Sequence, residues 1–181
     1  MKTFITIFVF SSFSLMGQAL SFGVKGGASL TDPAERFDQS QRYAVGPLLE
    51  LGFPGKVAIE INALYSRFGS SYSLQGLAGG RTRGNSWEFP VLGKYYFADR
   101  GAAVRPFASS GFAFRKIWFD DRDRRSSGGR ELGVGAVFAG GVSLKAWKLH
   151  VAPEFRYTRW GGSNFPATNP NQAQVLLGIQ F

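Results

Sequence analysis

Apolar and polar residues alternate with period two through eight separate segments of this chain. Only a strand sends successive side chains to opposite faces, so this pattern constrains the fold more than any other feature. In "FGVKGGASLT", Phe22, Val24, Ala28 and Leu30 share one face, with Lys25, Ser29 and Thr31 on the other. "YAVGPLLELGF" sets Tyr43, Val45, Leu49, Leu51 and Phe53 against Glu50, and the segment from Val57 sets Val57, Ile59, Ile61, Ala63 and Tyr65 against Glu60 and Asn62. "SWEFPVLGKYYF" sets Trp87, Phe89, Val91, Tyr95 and Phe97 against Glu88 and Lys94. From Val104, Val104, Ala108, Phe112, Phe114 and Trp118 oppose Arg105, Ser109 and Arg115. From Glu131, Leu132, Val134, Phe138, Val142 and Leu144 oppose a row of Gly and Ala. From Leu149, Leu149, Val151, Phe155 and Tyr157 oppose His150, Glu154 and Arg156. In the closing "NQAQVLLGIQF" only Leu176 breaks the alternation.

Segments of about 9 to 13 residues suit tilted strands that cross a membrane. Their connections alternate in length. "PGK", "ADRGAA" and "KAWK" are tight turns, whereas 32–42, 69–84, 120–130 and 161–171 are long and polar. Short turns at one end and long loops at the other predict an all-β fold, an eight-stranded antiparallel up-and-down transmembrane β-barrel over residues 22–181. The 24 glycines and the lack of a sustained 3.6-residue apolar period argue against a helical alternative.

Residues 1–21 read differently. Lys2 precedes the apolar run "FITIFVFSSFSLM", and the small residues of "GQALS" offer cleavage after Ala19 or Ser21. The run is shorter than the roughly 20 residues a membrane-spanning helix needs, so it reads as a cleaved secretory signal peptide. The chain has no Cys, which removes disulfides, thiolate metal sites, a cysteine nucleophile and a lipoprotein anchor. No metal or other cofactor is expected. Net charge is +9, and export makes nucleic acid a poor partner for it; anionic lipid headgroups or lipopolysaccharide are the better match.

Periodicity alone leaves a soluble, lipocalin-like barrel open, with the apolar face inward around a ligand. Aromatic residues at both ends of the apolar faces (Phe22, Tyr43, Phe53, Tyr65, Trp87, Phe97, Trp118, Tyr157) favour the membrane orientation, because they match interfacial girdles. The small Gly, Ala and Ser residues of the polar face suit a crowded lumen. With its leader, eight alternating segments and terminal Phe181, the chain resembles the small OmpA/OmpX-like outer-membrane β-barrel family across essentially all of residues 22–181. "GNSWEFPVLGKYYF" and "PEFRYTRWG" also resemble stretches of bacterial barrel proteins of this size. The resemblance implies that Phe181 is an insertion signal for the barrel-assembly machinery, and that the protein is a monomer in the cell outer membrane. OmpA carries a further peptidoglycan-binding domain; here the expectation is the barrel alone.

In this frame Lys25, Glu50, Glu60, Glu88, Lys94, Arg105, Arg115, Glu154 and Arg156 all face the lumen, sparing the about 2–4 kcal/mol that a charge costs on the lipid face at mid-bilayer. Glu50 and Glu60 should lie directly opposite one another, and need cations; Lys25 is the first candidate, with Lys94 and Arg105 farther round the wall. Eight strands leave an interior just wide enough for side chains, so a packed polar plug is expected rather than an ion path. No catalytic residue is expected. Lipid A deacylases share this architecture and use a His, Ser and Glu set on the outer surface. The sole histidine here, His150, is on the lumen face with Ala152 two residues on. A lipid-modifying enzyme is therefore the alternative and not the main reading. The loops concentrate Arg81, Arg83, Arg122, Arg124, Arg125 and Arg130 at the extracellular rim, where guanidinium groups can grip lipopolysaccharide phosphates or an anionic partner. Asp120, Asp121 and Asp123 beside them can also satisfy those charges.

Overall fold

The computed structural model describes residues 19–31, 43–74, 77–120, 131–161 and 170–181. The predicted leader up to residue 18, the connection 32–42 and four of the six candidate loop arginines (Arg122, Arg124, Arg125, Arg130) lie outside the described residues.

Among the described residues nine strands form one antiparallel sheet: β1 (Ala19–Ser29), β2 (Tyr43–Gly52), β3 (Val57–Asn62), β4 (Leu64–Leu74), β5 (Leu77–Tyr96), β6 (Val104–Asp120), β7 (Glu131–Ala146), β8 (Leu149–Gly161) and β9 (Asn171–Gln180). Consecutive strands pair, except that β3 and β4 do not pair with each other but each with β2 and β5, and β1 pairs with both β2 and β9, so the sheet closes on itself and the described wall keeps no free edge. Phe181 completes the seam: its N–H donates to the Phe22 carbonyl at 2.9 Å and its ring stacks on Phe22 at 5.9 Å.

The nine strands make eight staves, because β3 and β4 are one stave interrupted at Ala63. Leu48 faces Asn62 and Val45 faces Tyr65, which is the same register on both sides of the gap. The gap has a chemical cause in Pro47, which has no N–H to return to the wall. Ala63 still donates to the Pro47 carbonyl at 3.1 Å, so half of the rung survives. The neighbouring Gly46 lies so close under this point that a Cβ there would stand 1.7 Å from the Ala63 carbonyl oxygen.

The tight connections fall where the sequence places them. Gly55 turns β2 into β3 with a φ of 87°, and Trp147-Lys148 turns β7 into β8 around the Ala146–Leu149 pair. Trp147 has a φ of 57°, left-handed backbone that a turn of this length favours and a bulky side chain resists. At the other end the structure departs from the expected loops. Most of 69–84 is not loop: β4 and β5 remain paired from Leu64–Glu88 to Leu74–Leu77, so Arg81 and Arg83 lie on a strand that continues the wall. β5, β6 and β7 span 20, 17 and 16 residues, beyond the expected 9 to 13. Backbone pairing has no reason to stop where apolar alternation stops, because polar residues such as Ser and Thr pair equally well in a strand that has left the apolar zone.

The wall is amphipathic in the sense opposite to a water-soluble protein. Val24, Val57, Val91, Phe112, Phe138, Phe155, Leu177 and Ile179 are exposed outside, and Lys25, Glu60, Lys94, Glu154 and Arg156 are buried inside. Among the outward aromatics, some group in a row toward each end of the wall. Near the long-connection end Tyr65 meets Trp87 at a tilt, 5.4 Å between centroids, and Trp87 stacks on Phe89 at 6.1 Å; Tyr95 and Phe97 meet edge-on at 5.4 Å near the short-turn end. Trp87 and Phe97 are ten residues apart along one stave. At about 3.3 Å per residue and about 40° of tilt, their rows are about 25 Å apart along the barrel axis.

Candidate functional site

Side chains fill the interior in layers. Near the short-turn end Ala58, Tyr96, Phe107 and Ala152 form an apolar layer; farther in, Ala44, Leu64 and Leu176 form a second, and Leu92, Ala113, Val137 and Trp160 a third. Polar groups occupy two levels among them.

The larger polar level centres on Glu60. β2–β3 pairing puts Glu50 directly opposite Glu60, so two carboxylates share one site. Lys25 Nζ donates to Glu60 Oε1 at 2.5 Å and to Glu154 Oε2 at 2.7 Å. Lys94 Nζ donates to Glu50 Oε2 at 2.9 Å and also to Glu60 Oε2. Arg156 donates to Glu154 Oε1 through Nε at 2.9 Å and Nη2 at 2.7 Å, and its Nη2 stands 3.4 Å from Glu60 Oε1. The set therefore holds three cations and three carboxylates. Asn62 adds a bond to Glu60 at 2.8 Å, and Tyr96 and Gln180 donate to Glu50 at 2.7 and 3.2 Å.

Two features make this arrangement tolerable in a low-dielectric interior. Each carboxylate has more than one donor, so no lone charge is stranded. The bonds also cross the interior: β3 and β8 stand four staves apart in a ring of eight, so the Arg156–Glu60 contact joins opposite walls. Lys94 further lies 4.4 Å from the Phe107 ring centroid, a favourable seat for a cation.

The smaller level joins Glu88 and Arg115, which are cross-strand partners on β5 and β6. Arg115 donates to Glu88 Oε1 through Nε at 3.1 Å and Nη2 at 2.7 Å, and also bonds Gln172. Its guanidinium lies 3.8 Å from the Trp160 ring, whose indole N–H donates to Gln172 at 2.7 Å.

Eight of the nine predicted lumen charges thus fall into two clusters. Arg105 stands apart from both. It points inward, but its guanidinium lies over the Tyr96 ring at 3.7 Å, and no carboxylate among the described residues bonds it. His150 is also on the inward face near the short-turn end, half-buried and paired with Lys145 and Gln180, away from the outer surface. Alternation places Tyr96, Trp160, Gln172 and Gln180 inward as well. Their ring or amide character gave no separate signal of a role, which only their cross-lumen partners reveal.

No protein-family model matches the chain, and no curated protein sequence matches it. Solved structures do. The N-terminal β-barrel domain of Pseudomonas aeruginosa OprF is 15% identical with a TM-score of 0.58, covering 92% of this chain and 97% of that one. The outer membrane protein OprG of the same organism is 16% identical with a TM-score of 0.57, covering 92% and 98%. Ail of Yersinia pestis, solved in complex with the heparin analogue sucrose octasulfate, is 11% identical with a TM-score of 0.54, covering 91% and 97%. At these identities the likeness is one of fold: the chain has the fold of the small eight-stranded outer-membrane barrels.

Proposed function

We propose that the protein resides in the outer membrane as a barrel with a closed, ion-paired interior, and that it acts through its long-connection end on anionic surface chemistry, not as a pore or an enzyme. Two aromatic rows about 25 Å apart, enclosing an apolar outer wall, match the hydrophobic height of an outer-membrane barrel. The observation that carries the plug is the Arg156–Glu60 contact between opposite staves, with Lys25, Lys94 and Glu154 buried around it. Apolar layers lie among the polar levels, so an ion would have to leave water and break paired charges to pass.

Export through a cleaved leader and assembly through the C-terminal strand fit this reading. In it the short turns face the periplasm, and lipopolysaccharide phosphates are the anionic chemistry that Arg81, Arg83, Arg122, Arg124, Arg125 and Arg130 would meet, by forked guanidinium pairing. Ail, a barrel of the same fold, accompanies a sulfated ligand in its solved complex.

Three measurements test the reading together. Migration on a detergent gel before and after boiling, on outer-membrane fractions, should show a faster unboiled form; a soluble protein with no shift defeats the membrane barrel. Planar-bilayer recording on the purified barrel should show no stable channel, and sustained ohmic conductance defeats the plug. Replacing the loop arginines by Gln should reduce binding to lipopolysaccharide; undiminished binding removes the surface role.

A further inference from the structure

We infer that the short-turn mouth of the lumen is a binding site for a phosphate-type oxyanion, built on Arg105. Arg105 lies at the end of the barrel opposite the loop arginines and belongs to neither charge cluster, although its Tyr96 platform is bonded to Glu50 of the larger one.

Among the described residues Arg105 is a lumen cation that no carboxylate bonds. Its flat face is occupied by Tyr96 at 3.7 Å, while its Nε is buried and has no hydrogen-bond partner. Tyr96 is itself held by its bond to Glu50 at 2.7 Å, so the guanidinium rests on a fixed platform. A guanidinium stacked on a ring keeps its in-plane N–H groups for a planar or tetrahedral oxyanion.

The neighbours have matching chemistry. Arg105 is the cross-strand partner of Ser143, a buried hydroxyl residue on the same inward face. Two residues on, Lys145 continues that face at the rim opposite His150. His150 lies between Lys145 and Gln180 in the wall, and the Gln180 amide donates to Glu50 at 3.2 Å. Glu50 already accepts from Lys94, Tyr96 and Gln180, so it does not neutralise the mouth. The nearby turn carboxylate, Asp99, is engaged by Lys56 at 3.5 Å. Among the described residues the mouth is left with two cations that no carboxylate bonds, a hydroxyl and an imidazole around an inward-facing fork, an arrangement that recognises a dianionic or monoanionic phosphate group.

The test uses the full barrel folded in phosphate-free maltoside micelles, with 15N NMR of the Arg105 Nε–H, the Ser143 amide and the His150 ring. Titration with inorganic phosphate at constant ionic strength should shift all three along one saturable curve that chloride does not reproduce. Arg105→Gln should weaken the response at Ser143 and His150 by about tenfold or more, the loss expected of a charge-assisted fork. Arg105→Lys, which keeps charge without the fork, should fall between. Lys145→Gln, on the exposed rim, should weaken binding less and leave the fold intact. A second arm replaces free phosphate by nanodiscs containing phosphatidylglycerol. A shift there marks the lipid phosphodiester as the source, and a shift with free phosphate alone marks a soluble one. Absence of a saturable response in both arms overturns the site. So does unchanged affinity in Arg105→Gln that still shows the folded gel shift.

Discussion

Glu60 holds the interior together because four donors, Lys25, Lys94, Arg156 and Asn62, converge on one carboxylate. Removing a buried acid while leaving its cations in place is far costlier than the pair's net contribution, since the stranded charges keep their full desolvation penalty. Glu60→Ala should therefore lower unfolding stability by about 3–5 kcal/mol, measured by urea titration of the barrel in lipid vesicles. A loss below about 1 kcal/mol would show that the network relaxes around the gap. Trp147 illustrates the opposite case. Its left-handed backbone at a φ of 57° is a conformation glycine adopts freely, and its side chain is 85% exposed, so little packing offsets the strain. Trp147→Gly should leave stability unchanged or raise it by up to about 1 kcal/mol in water-exposed micelles. A marked destabilisation confined to bilayers would instead identify Trp147 as an interfacial anchor.

Among the elements, the β2 to β3/β4 contact is the most demanding part of the wall. A Cβ at Gly46 would meet the Ala63 carbonyl oxygen at 1.7 Å, where Pro47 has already removed half a rung. Gly46→Val should accordingly abolish the gel shift of the folded barrel. Gly178→Ala provides the control, because its added methyl would find its nearest atom, Lys25 Cε, at 3.5 Å; the shift should persist. The strand faces were legible from period-two alternation, down to the opposition of Glu50 and Glu60. Strand ends were not. The β4–β5 hairpin runs on through residues expected to be loop, since hydrogen-bonded pairing extends past the apolar segment that hydropathy detects. The split of one stave at Ala63 was equally hidden, because Pro47 acts on the neighbouring strand rather than on its own.

At the scale of the whole barrel, the inverted amphipathicity makes a demand that a soluble barrel would not. Phe112 is exposed on the outer wall, paired with Val91 midway between the aromatic rows. Phe112→Arg should cost about 2–4 kcal/mol of stability in lipid vesicles, as a cation near mid-bilayer does. Equal or greater stability in vesicles would place that face in water. The same geometry ties the staves together through the interior: the Glu60 cluster draws on β1, β2, β3, β5 and β8, so cutting it should loosen strands that share no backbone hydrogen bond.

Alternation by itself determined which residues share a face, because that is a local consequence of the two-residue strand period, and the short connections between alternating segments pointed to antiparallel neighbours. The partners across the lumen were decided only by closure. Which cation meets which carboxylate depends on how the staves are staggered around the ring, and a strand's own sequence does not encode that offset. Lys25 and Glu154 meet across β9, and Arg156 reaches Glu60 from the opposite wall. Arg105, on the same inward face as the paired cations, finds an aromatic ring instead of an acid, for its depth places it beside Tyr96 and Ser143 at the mouth.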